Sequence, residues 1–315
     1  MIDYILNTLI NSNDYVSGNE IAKKLNISRT AVWKIICKLK EKGFVIDCIN
    51  NRGYKLIKIP DSIILPQIIY NYSKNEFPFE IIYLEKVDST NNYAKNYVLN
   101  NENYIKKNIV IITDEQYSGR GRFERKWYSE ISKDLTFSII LKLYKQVTDF
   151  YKYVILASSC IHQILCNYLP DFIDSIKIKW PNDLYIFDKK ICGILSEMIT
   201  EESLIKFLII GIGLNVNSQN LLENAISMFK IKNTNFDRNR ILYDILIKFY
   251  NLLNSDFEEI FNYWKNNISG LNKKVTFKTI DRTIIGILMD IDNDGSVIIK
   301  TENGLEKFYS GDIIY

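Results

Sequence analysis

The sequence contains a single histidine, and this scarcity argues against the common kinds of histidine-dependent catalysis. His162 lies in an apolar segment with helical spacing, which predicts a side chain packed within a helix rather than a catalytic base. Serine–histidine and cysteine–histidine catalysis both need an imidazole, so neither is expected. The residues that carry the chemistry are therefore sought among other polar side chains.

Paired cysteines, long apolar runs and a phosphate loop are also missing. The five cysteines are scattered without a CxxC pair, so we expect neither a disulfide framework nor a zinc site, and a reducing cytoplasm is the expected location. No run approaches the ~18 apolar residues that cross a bilayer, and the first residues lack the features of an export signal. The lack of a long apolar run predicts no association with a membrane. The GxxxxGK[ST] loop of common nucleotidases is also absent.

Positive charge is concentrated in the first part of the chain. Residues 1–60 hold ten Lys and Arg against five Asp and Glu, whereas the remaining residues carry a net charge of −2 within a chain of net charge +3. A small basic unit on an otherwise slightly acidic chain predicts a polyanionic partner for that unit.

Three short helices followed by a β-hairpin are predicted for this basic unit. Ser28 is a candidate N-cap of the third helix, in which an apolar stripe runs from Val32 to Leu39 with helical spacing. The hairpin turns at residues 50–53. This order of elements is typical of a winged helix-turn-helix domain.

The chain divides into three predicted domains. The winged helix-turn-helix domain covers residues 1–62, and alternating strand-like and helical runs predict a central α/β domain over residues 67–270. Short strands separated by turn residues predict a small β-barrel-like domain over residues 271–315. The first boundary is marked by Pro60, Asp61 and Pro66.

A basic, glycine-containing stretch that ends at Trp127 is the most informative segment. Its pliable backbone allows the amides to approach an anion closely. The indole of Trp127 is suited to stacking on a base or to covering a closed pocket. A mobile basic loop, or an arginine–glycine tether for nucleic acid, stays open on this stretch alone. Its four cations are Arg120, Arg122, Arg125 and Lys126.

Two further segments are candidates for ligand binding. Period two places Lys177 and Lys179 on one face of a strand that ends at Pro181, so Lys179 lies at the end where α/β sheets bind ligands. An edge strand with solvated lysines is the alternative. Ser89 and Thr90 stand between a strand and a helix, where simple helix capping is the alternative.

Together these segments resemble the biotin–protein ligase and biotin-operon repressor family over nearly the whole chain. The motifs that carry the resemblance are DSTN, GRGR…W, KWPNDLY, GILSE, GIGLNVN, ISRTAVWKIICKLKEKGF and RGYKL. The resemblance implies an α+β multidomain protein: a winged helix-turn-helix domain, a ligase domain with a mixed sheet and helices similar to class II synthetases, and a C-terminal SH3-like β-barrel. Lipoate ligases are similar in fold but lack the GRGR loop with KWPND.

The resemblance implies that ATP, with Mg²⁺, activates biotin to biotinyl-5′-AMP, and that biotin then passes to a lysine of a biotin carboxyl carrier protein, such as an acetyl-CoA carboxylase subunit. The catalytic residues that the resemblance implies are Lys179, Arg120 and Arg122, which fits a reaction in which a carboxylate meets a phosphate and several cations are needed. No residue is assigned to a resident metal. The implied biotin site is Ser89, Thr90, Asn91, Gln116, Arg120, Gly121, Arg122 and Lys179. The implied adenylate site is Arg122, Arg125, Trp127, Asn182 and Asn215. Asp183 is a candidate for steering the incoming amine.

The resemblance also implies a biotin-responsive repressor of genes for biotin synthesis or uptake. Biotinyl-5′-AMP would be the corepressor, and a homodimer formed when it binds would recognise operator DNA. Three alternatives stay open: a ligase with a vestigial DNA-binding domain, a lipoate-type ligase, and a transcription factor that senses biotin without ligating it. The implied DNA contacts, around a helix-turn-helix at 18–37, are Ser28, Arg29, Thr30, Trp33, Lys34, Lys38 and Arg52.

The glycine-containing loop departs from the family pattern at two positions. Members usually have glycine where this chain has Glu124, and often arginine where it has Phe123. Glu124 adds a negative charge beside an anion-binding loop and reduces its flexibility. We therefore expect altered retention of the adenylate, or an altered part of the loop in dimer formation, and we expect Glu124→Gly to slow loss of the intermediate.

Overall fold

The computed structural model describes residues 1–60, 63–73, 76–279 and 281–314, except for the side chain of Asp3. Asp61, one of the predicted boundary residues, lies outside the described residues. No helix in the described part of the chain has both the length and the apolar character needed to cross a membrane.

The N-terminal unit folds as the sequence predicts, with three helices and a hairpin. Ser28 caps the third helix, since its Oγ accepts a hydrogen bond from the amide of Ala31 at 3.1 Å. Only glycine fits at Gly53, because φ is +114° and a Cβ would lie 2.0 Å from the carbonyl oxygen of Val16. The elements are α1 (Ile2–Ile10), α2 (Gly18–Leu25), α3 (Arg29–Glu41), β1 (Val45–Ile49) and β2 (Gly53–Lys58).

This unit has a hydrophobic core of its own. Val32, Ile36 and Leu39 of α3 are buried, as the predicted stripe requires, and they pack with buried residues of the other N-terminal elements. The opposite side of α3 is exposed.

The central unit is built on a seven-stranded mixed sheet, which confirms the predicted architecture. β3 and β4 are parallel, and every other neighbouring pair is antiparallel. The strand order is β3-β4-β5-β9-β8-β7-β6. The strands are β3 (Phe79–Val87), β4 (Asn108–Gln116), β5 (Leu135–Gln146), β6 (Ile176–Lys179), β7 (Asp183–Ile186), β8 (Lys189–Glu201) and β9 (Leu204–Leu214).

Helices cover both faces of this sheet. Ala94 and Val98 of one helix pack in a small core against one face, and the large core lies against the other. The α-helices are α4 (Pro66–Tyr72), α5 (Thr90–Asn101), α6 (Phe150–Tyr168), α7 (Met228–Lys232), α8 (Arg238–Leu253) and α9 (Phe257–Asn266). Short 3-10 helices span Glu102–Tyr104, Arg122–Glu124, Val147–Asp149 and Pro170–Ser175.

His162 is a packed residue of α6, as its sequence context predicts. It is buried, with Nδ1 2.7 Å from the hydroxyl of Tyr263 and Nε2 3.2 Å from the carbonyl oxygen of Ile176. Burial lowers the pKa of the imidazole.

Several elements were not predicted from the sequence, namely β8, α4, α7 and α9. In β8, Gly193 and the polar pair Ser196 and Glu197 interrupt the apolar pattern of a strand. α4 begins at Pro66, which the sequence analysis treats as a break although proline is well tolerated at the first helical position.

The C-terminal residues form a five-stranded antiparallel sheet with the order β13-β12-β11-β10-β14. Its inner face joins the large core of the central unit, where the rings of Phe277 and Trp180 are 5.8 Å apart. Among the described residues, hydrogen bonds leave β13 and β14 as edges. The strands are β10 (Lys274–Lys278), β11 (Thr283–Ile291), β12 (Val297–Thr301), β13 (Gly304–Phe308) and β14 (Asp312–Ile314).

Candidate active site

A cavity of about 900 Å³ lies between the central sheet, the loop that ends at Trp127 and the C-terminal strand β14. Every residue predicted for biotin or adenylate binding lines it. These are Ser89, Thr90, Asn91, Gln116, Arg120, Gly121, Arg122, Arg125, Trp127, Lys179, Asn182 and Asn215.

Neutral polar groups occupy one part of the cavity, at the first turn of α5. Ser89 precedes this helix but its side chain makes no capping hydrogen bond, so the capping alternative does not hold for it. The amide of Thr90 donates to Oε1 of Gln116 at 2.9 Å. Ser138 was not predicted, yet its Oγ lies 2.8 Å from Oγ1 of Thr90 and 2.6 Å from Oδ1 of Asn91. A lone serine in the apolar strand β5 was the signal that could have identified it.

The sequence analysis also missed Glu197, whose carboxylate contacts this group of neutral side chains. Nδ2 of Asn91 donates to Oε2 of Glu197 at 2.8 Å, and Lys95 forms an ion pair with the same carboxylate. Arg120 donates to Oδ1 of Asn92 at 2.8 Å and lies 4.0 Å from Glu197. Glu197 therefore orients both an amide and a cation of the site.

The arginines of the loop are held by the C-terminal sheet. Nη2 of Arg122 donates to the carbonyl oxygen of Gly311 at 3.2 Å, and Nη1 donates to Oδ1 of Asn182 at 3.3 Å. Arg125 forms an ion pair with Asp312. Burial lowers the pKa of the Arg122 guanidinium, while Asp312 opposes this shift. Asp312 was not predicted, because nothing in the sequence places it beside a loop almost 190 residues earlier.

Lys179 ends β6, and its ammonium lies 4.9 Å from the centre of the Tyr185 ring. β6 lies at one edge of the seven-stranded sheet, as the alternative interpretation of an edge strand with solvated lysines predicts. Lys179, however, is half-buried and lines the cavity. Burial lowers the pKa of its ammonium, and Asp183 and Asp312 oppose that shift. Asp183 itself accepts a hydrogen bond from Lys190 at 2.6 Å.

At another part of the cavity, a buried donor and a buried acceptor lack partners among the described residues. These atoms are Nε1 of Trp127 and Oδ1 of Asn215. Buried polar atoms in proteins almost always have hydrogen-bond partners, so such a pair is suited to a polar ligand.

Two glycines of β9 make room for site residues. A Cβ at Gly213 would lie 2.3 Å from the ring of Trp127, and one at Gly211 would lie 2.3 Å from Oδ1 of Asn91. The GxG pattern is individually uninformative in the sequence, but here each glycine accommodates one predicted ligand-binding side chain.

Family models match all three parts of the chain. Residues 83–215 match the biotin/lipoate A/B protein ligase family, residues 2–55 match an HTH domain, and residues 270–315 match the biotin protein ligase C-terminal domain. Over 311 residues the chain is 30% identical to the bifunctional ligase/repressor BirA of Bacillus spizizenii, covering 96% of this chain and 94% of that protein.

The chain belongs to the bifunctional ligase/repressor family. It is also 26% identical to the bifunctional ligase/repressor BirA of Escherichia coli, over 97% of this chain and 94% of that one. A solved structure of the biotin protein ligase from Aquifex aeolicus in complex with biotin and ATP superposes with a TM-score of 0.63 at 26% identity, over 75% of this chain and 97% of that chain.

The second candidate site of this ligase/repressor is the exposed side of α3. Arg29, Thr30, Trp33 and Arg52 line a groove of about 540 Å³ between α3 and the hairpin. Trp33 is 55% exposed, which is unusual for an indole that serves only packing. The other predicted DNA contacts, Ser28, Lys34 and Lys38, are exposed on the same helix or at its start.

One of these predicted contacts already has protein partners. The guanidinium of Arg52 lies 3.3 Å from a carboxylate oxygen of Asp14 and 4.6 Å from the centre of the Tyr15 ring. Both partners belong to the segment between α1 and α2, so they set the orientation of the hairpin arginine.

Proposed function

We propose that this ligase/repressor activates biotin with ATP to biotinyl-5′-AMP and transfers biotin to a specific lysine of a biotin carboxyl carrier protein. The observation that carries the proposal is that Lys179, Arg120 and Arg122, far apart in sequence, line one cavity. This cavity has neutral amide and hydroxyl groups in one part and an indole with an unpartnered donor in another.

The neutral groups fit the ureido ring of biotin. Thr90, Asn91 and Gln116 offer uncharged donors and acceptors, which a ureido group requires. Ser138 and Glu197 fix the orientation of Asn91 through hydrogen bonds. The biotin carboxylate then extends towards the cations.

The cations allow two negatively charged groups to react. A biotin carboxylate oxygen attacks the α-phosphorus of ATP, a P–O bond forms, and pyrophosphate leaves with the electrons of the broken bond. One cation about 4 Å from an anion contributes on the order of 4 kcal/mol at a surface-like dielectric, before desolvation. Lys179 contacts both reacting groups, while Arg120 and Arg122 stabilise the charge on the phosphate.

The adenine is bound at Trp127 and Asn215. Nε1 of the indole and Oδ1 of the amide are buried and have no hydrogen-bond partner in the part of the chain that the structure describes, so a base edge that offers an acceptor and a donor would satisfy both. Gly213 allows the indole to lie against β9.

Mg²⁺ enters with the substrate as the counter-ion of ATP. The carboxylates of Asp183 and Asp312 line the cavity but form ion pairs with Lys190 and Arg125. No cluster of three or more possible metal ligands occurs among the described residues. The protein therefore supplies positive side chains here rather than a metal cage, as is usual where Mg²⁺ binds mainly through phosphates.

In the second step the amine of the acceptor lysine attacks the acyl carbon of biotinyl-5′-AMP. An amide forms, AMP leaves with the electrons of the acyl–oxygen bond, and the amine loses a proton to solvent. Asp183 is the residue of this chain that would attract the acceptor lysine as an ammonium, which must first lose a proton to solvent to become the attacking amine. Water must be excluded until the acceptor arrives, which is the role we assign to the loop that carries Arg122.

The N-terminal unit supports a second activity, namely repression of genes for biotin synthesis or uptake. In our proposal α3 enters the major groove of operator DNA and the hairpin acts as a wing along the backbone. Biotinyl-5′-AMP is the corepressor, and its binding promotes a homodimer that matches a two-fold operator. The exposed cations of α3 and its exposed indole support this activity over a vestigial domain.

The finer fold assignments are part of the same proposal. The domains are residues 1–62, 67–270 and 271–315: a winged helix-turn-helix, a ligase domain similar to class II synthetases, and an SH3-like β-barrel. A separate core supports the first boundary, whereas the second and third domains share one core and would unfold together. The five cysteines are free thiols, which suits the cytoplasm.

The test is incubation of the protein with ATP, Mg²⁺, biotin and a recombinant biotin carboxyl carrier domain, read by intact mass. One biotinyl group per carrier is expected, together with biotin-dependent exchange between ATP and pyrophosphate. Exchange supported by lipoate but not by biotin would show a lipoate-type ligase instead. Binding of biotin without any exchange would show a sensor that does not ligate.

A further inference from the structure

Two of the five cysteines line the groove between α3 and the hairpin. Cys37 belongs to α3 and Cys48 to β1, so each side of the groove contributes one thiol. Cys48 is exposed and Cys37 is half-buried, whereas Cys160 and Cys192 are buried in the large core of the central unit. A thiol must be accessible to react with a dissolved reagent. Cys48 is therefore the thiol of this groove that such a reagent reaches first.

On α3, the second thiol lies among the predicted DNA contacts. Residues three or four apart on a helix share one side, and both Arg29 and Trp33 are predicted to contact DNA. A molecule attached inside the groove would therefore occupy the space that DNA needs. The residues of α3 that line the groove with this spacing are Arg29, Trp33, Cys37 and Lys40.

Tyr54 lies close to both thiols. It is directly opposite Cys48 in the hairpin, and residues paired in this way have Cβ atoms about 5 Å apart. Burial raises the pKa of the Tyr54 phenol, and Cys48 and Cys37 both add to that shift. Arg29 and Lys40 oppose it. The side chain of Tyr54 therefore has two thiols and two cations as neighbours.

The groove suits a small molecule with negative charge. Its volume of about 540 Å³ lies in the range of pockets that hold small ligands. Arg29, Lys40 and Arg52 line it, and none of its lining residues in the described part of the chain is acidic. A concave surface with charge of one sign concentrates ions of the opposite sign. An anionic reagent would therefore be enriched beside Cys48.

We propose that Cys48 is a modification site for a low-molecular-weight disulfide that carries carboxylates, such as glutathione disulfide, and that the adduct releases operator DNA. The thiol of Cys48 loses its proton to solvent, and the thiolate attacks one sulfur of the reagent. A new S–S bond forms at Cys48 as the old one breaks. The other half of the reagent leaves as a thiolate and takes a proton from solvent. Cys48 is oxidised and the reagent is reduced, so excess thiol reverses the reaction.

The adduct opposes DNA binding in two ways. It fills the groove beside Arg29 and Trp33, and its negative charge repels the phosphates of DNA. The active-site cavity belongs to a unit with a separate hydrophobic core, so the adduct leaves that cavity unchanged. The protein would thus release its operator under oxidising conditions while the activation of biotin continues.

Cys166 provides the comparison for this site. Like Cys37 it is half-buried, but it lines neither this groove nor the active-site cavity. Its Sγ lies 3.6 Å from Nδ1 of His162, and burial raises the pKa of its thiol. Less thiolate is available there, so we expect Cys48 to react first.

The experiment uses the full-length protein with biotin, ATP and Mg²⁺, treated with either glutathione disulfide or reduced glutathione. Intact mass and peptide mapping locate the adduct, and fluorescence anisotropy gives the Kd for operator DNA. We expect a glutathionyl group on Cys48 and a Kd about tenfold higher, both reversed by dithiothreitol. Biotin-dependent exchange should stay within about twofold.

Each variant is compared with its own reduced form, so a change in basal DNA affinity does not affect the result. Cys48→Ser should carry no adduct in the N-terminal unit, and its Kd should not respond to glutathione disulfide. Cys166→Ser is the matched control and should respond as the unaltered protein does. Cys37→Ser should also respond, because the reacting thiol is still present.

Two results would overturn the proposal: an adduct on Cys48 that leaves the Kd unchanged, and an internal disulfide between Cys37 and Cys48 without a glutathionyl group. An unmodified Cys48 would do the same. The inference rests on the proposed repressor activity, since operator DNA is one of its readouts. Absence of ligand-dependent DNA binding in the reduced protein would reject that activity, whereas the mass of the adduct tests the modification site independently.

Discussion

At the scale of single residues, Lys179 combines partial burial with a requirement for charge. It must be protonated to attract the biotin carboxylate and the α-phosphate, yet burial lowers the pKa of its ammonium. The charged form is therefore lost at lower pH than for an exposed lysine. We expect kcat/KM for biotin-dependent exchange to fall on the alkaline side as pH rises through this lowered pKa.

Asp183 offers a way to check this assignment. Its negative charge raises the pKa of Lys179, so Asp183→Asn should move the alkaline limb of the exchange profile further towards neutral pH. Lys179→Met should reduce exchange about 100-fold or more, with an unchanged thermal transition as the control for folding. An alkaline limb that stays in place in Asp183→Asn would mean that another group sets it.

Gly213 is the basis of a separate prediction, which concerns the affinity for ATP. In Gly213→Ala the new Cβ would lie 2.3 Å from Cε2 of Trp127, so the indole must move. We expect the Kd for ATP to rise about tenfold, because the stacked ring and its Nε1 leave their positions. Biotin binding should change little, since the proposed biotin site uses Thr90 and Asn91 rather than this ring. Calorimetric titration with each ligand alone separates the two effects, and equal weakening of both would contradict the assignment.

At the scale of elements, the loop that carries Arg122 is strained at two adjacent positions. Phe123 and Glu124 have φ of 53° and 58°, in the left-handed region that costs a residue with a side chain roughly 1–2 kcal/mol. Glycine has no such cost. The backbone conformation at position 124 is therefore one that glycine adopts at lower cost than glutamate does.

Glu124→Gly should slow the loss of biotinyl-5′-AMP, as the sequence alone also predicts. A stopped-flow chase with excess unlabelled biotin measures the release rate, and we expect a decrease of about three- to tenfold from relief of strain in the closed loop. Glu124→Ala is the matched control, because it removes the charge but keeps the Cβ. A similar decrease in both variants would assign the effect to charge, whereas unchanged or faster release in Glu124→Gly would refute it.

The sequence predicts those helices and strands whose own residues form an uninterrupted pattern. The capped helix α3 and the buried His162 follow from local spacing, the mixed central sheet follows from the family resemblance, and all three are confirmed. Elements with interrupted patterns, such as β8, were missed. The site residues Ser138, Glu197 and Asp312 were missed for a related reason, since each acquires its role from a partner on another element.

At the scale of the whole molecule, the first turn of α8 connects the cavity with the chain that leads to the DNA-binding unit. Arg238 is fully buried and donates to the carbonyl oxygen of Asp134 at 2.8 Å, and the carboxylate of Asp134 accepts a hydrogen bond from the amide of Glu130, which lines the cavity. The neighbouring Asn239 accepts from the amide of Leu65 and donates to the carbonyl oxygen of Ile63, each at 2.8 Å. The position of this helical turn therefore affects both the cavity and the segment that leads to the DNA-binding unit.

Ligand-linked DNA binding is the prediction that belongs to this scale. Affinity for operator DNA, measured by fluorescence anisotropy on a selected two-fold site, should rise when biotin and ATP are both present. It should fall steeply with salt, because cations of α3 replace condensed counterions. Lys34→Ala should reduce the slope of log K against log salt by about one if Lys34 contacts a phosphate.

Asn239→Ala tests whether the helical turn transmits the ligand effect. This change removes the two hydrogen bonds to residues 63 and 65 but leaves the cavity side chains in place. We expect exchange activity to stay near that of the unaltered protein, while the gain in DNA affinity on adding biotin and ATP shrinks about five- to tenfold, in the usual range of coupling energies. Asn71→Ala, which removes the hydrogen bond between α4 and Asn11 of the N-terminal unit, is the comparison for a second contact between the two parts. A full ligand-dependent gain in Asn239→Ala would show that the coupling passes through dimer formation alone, with no part played by the segment that joins the two units.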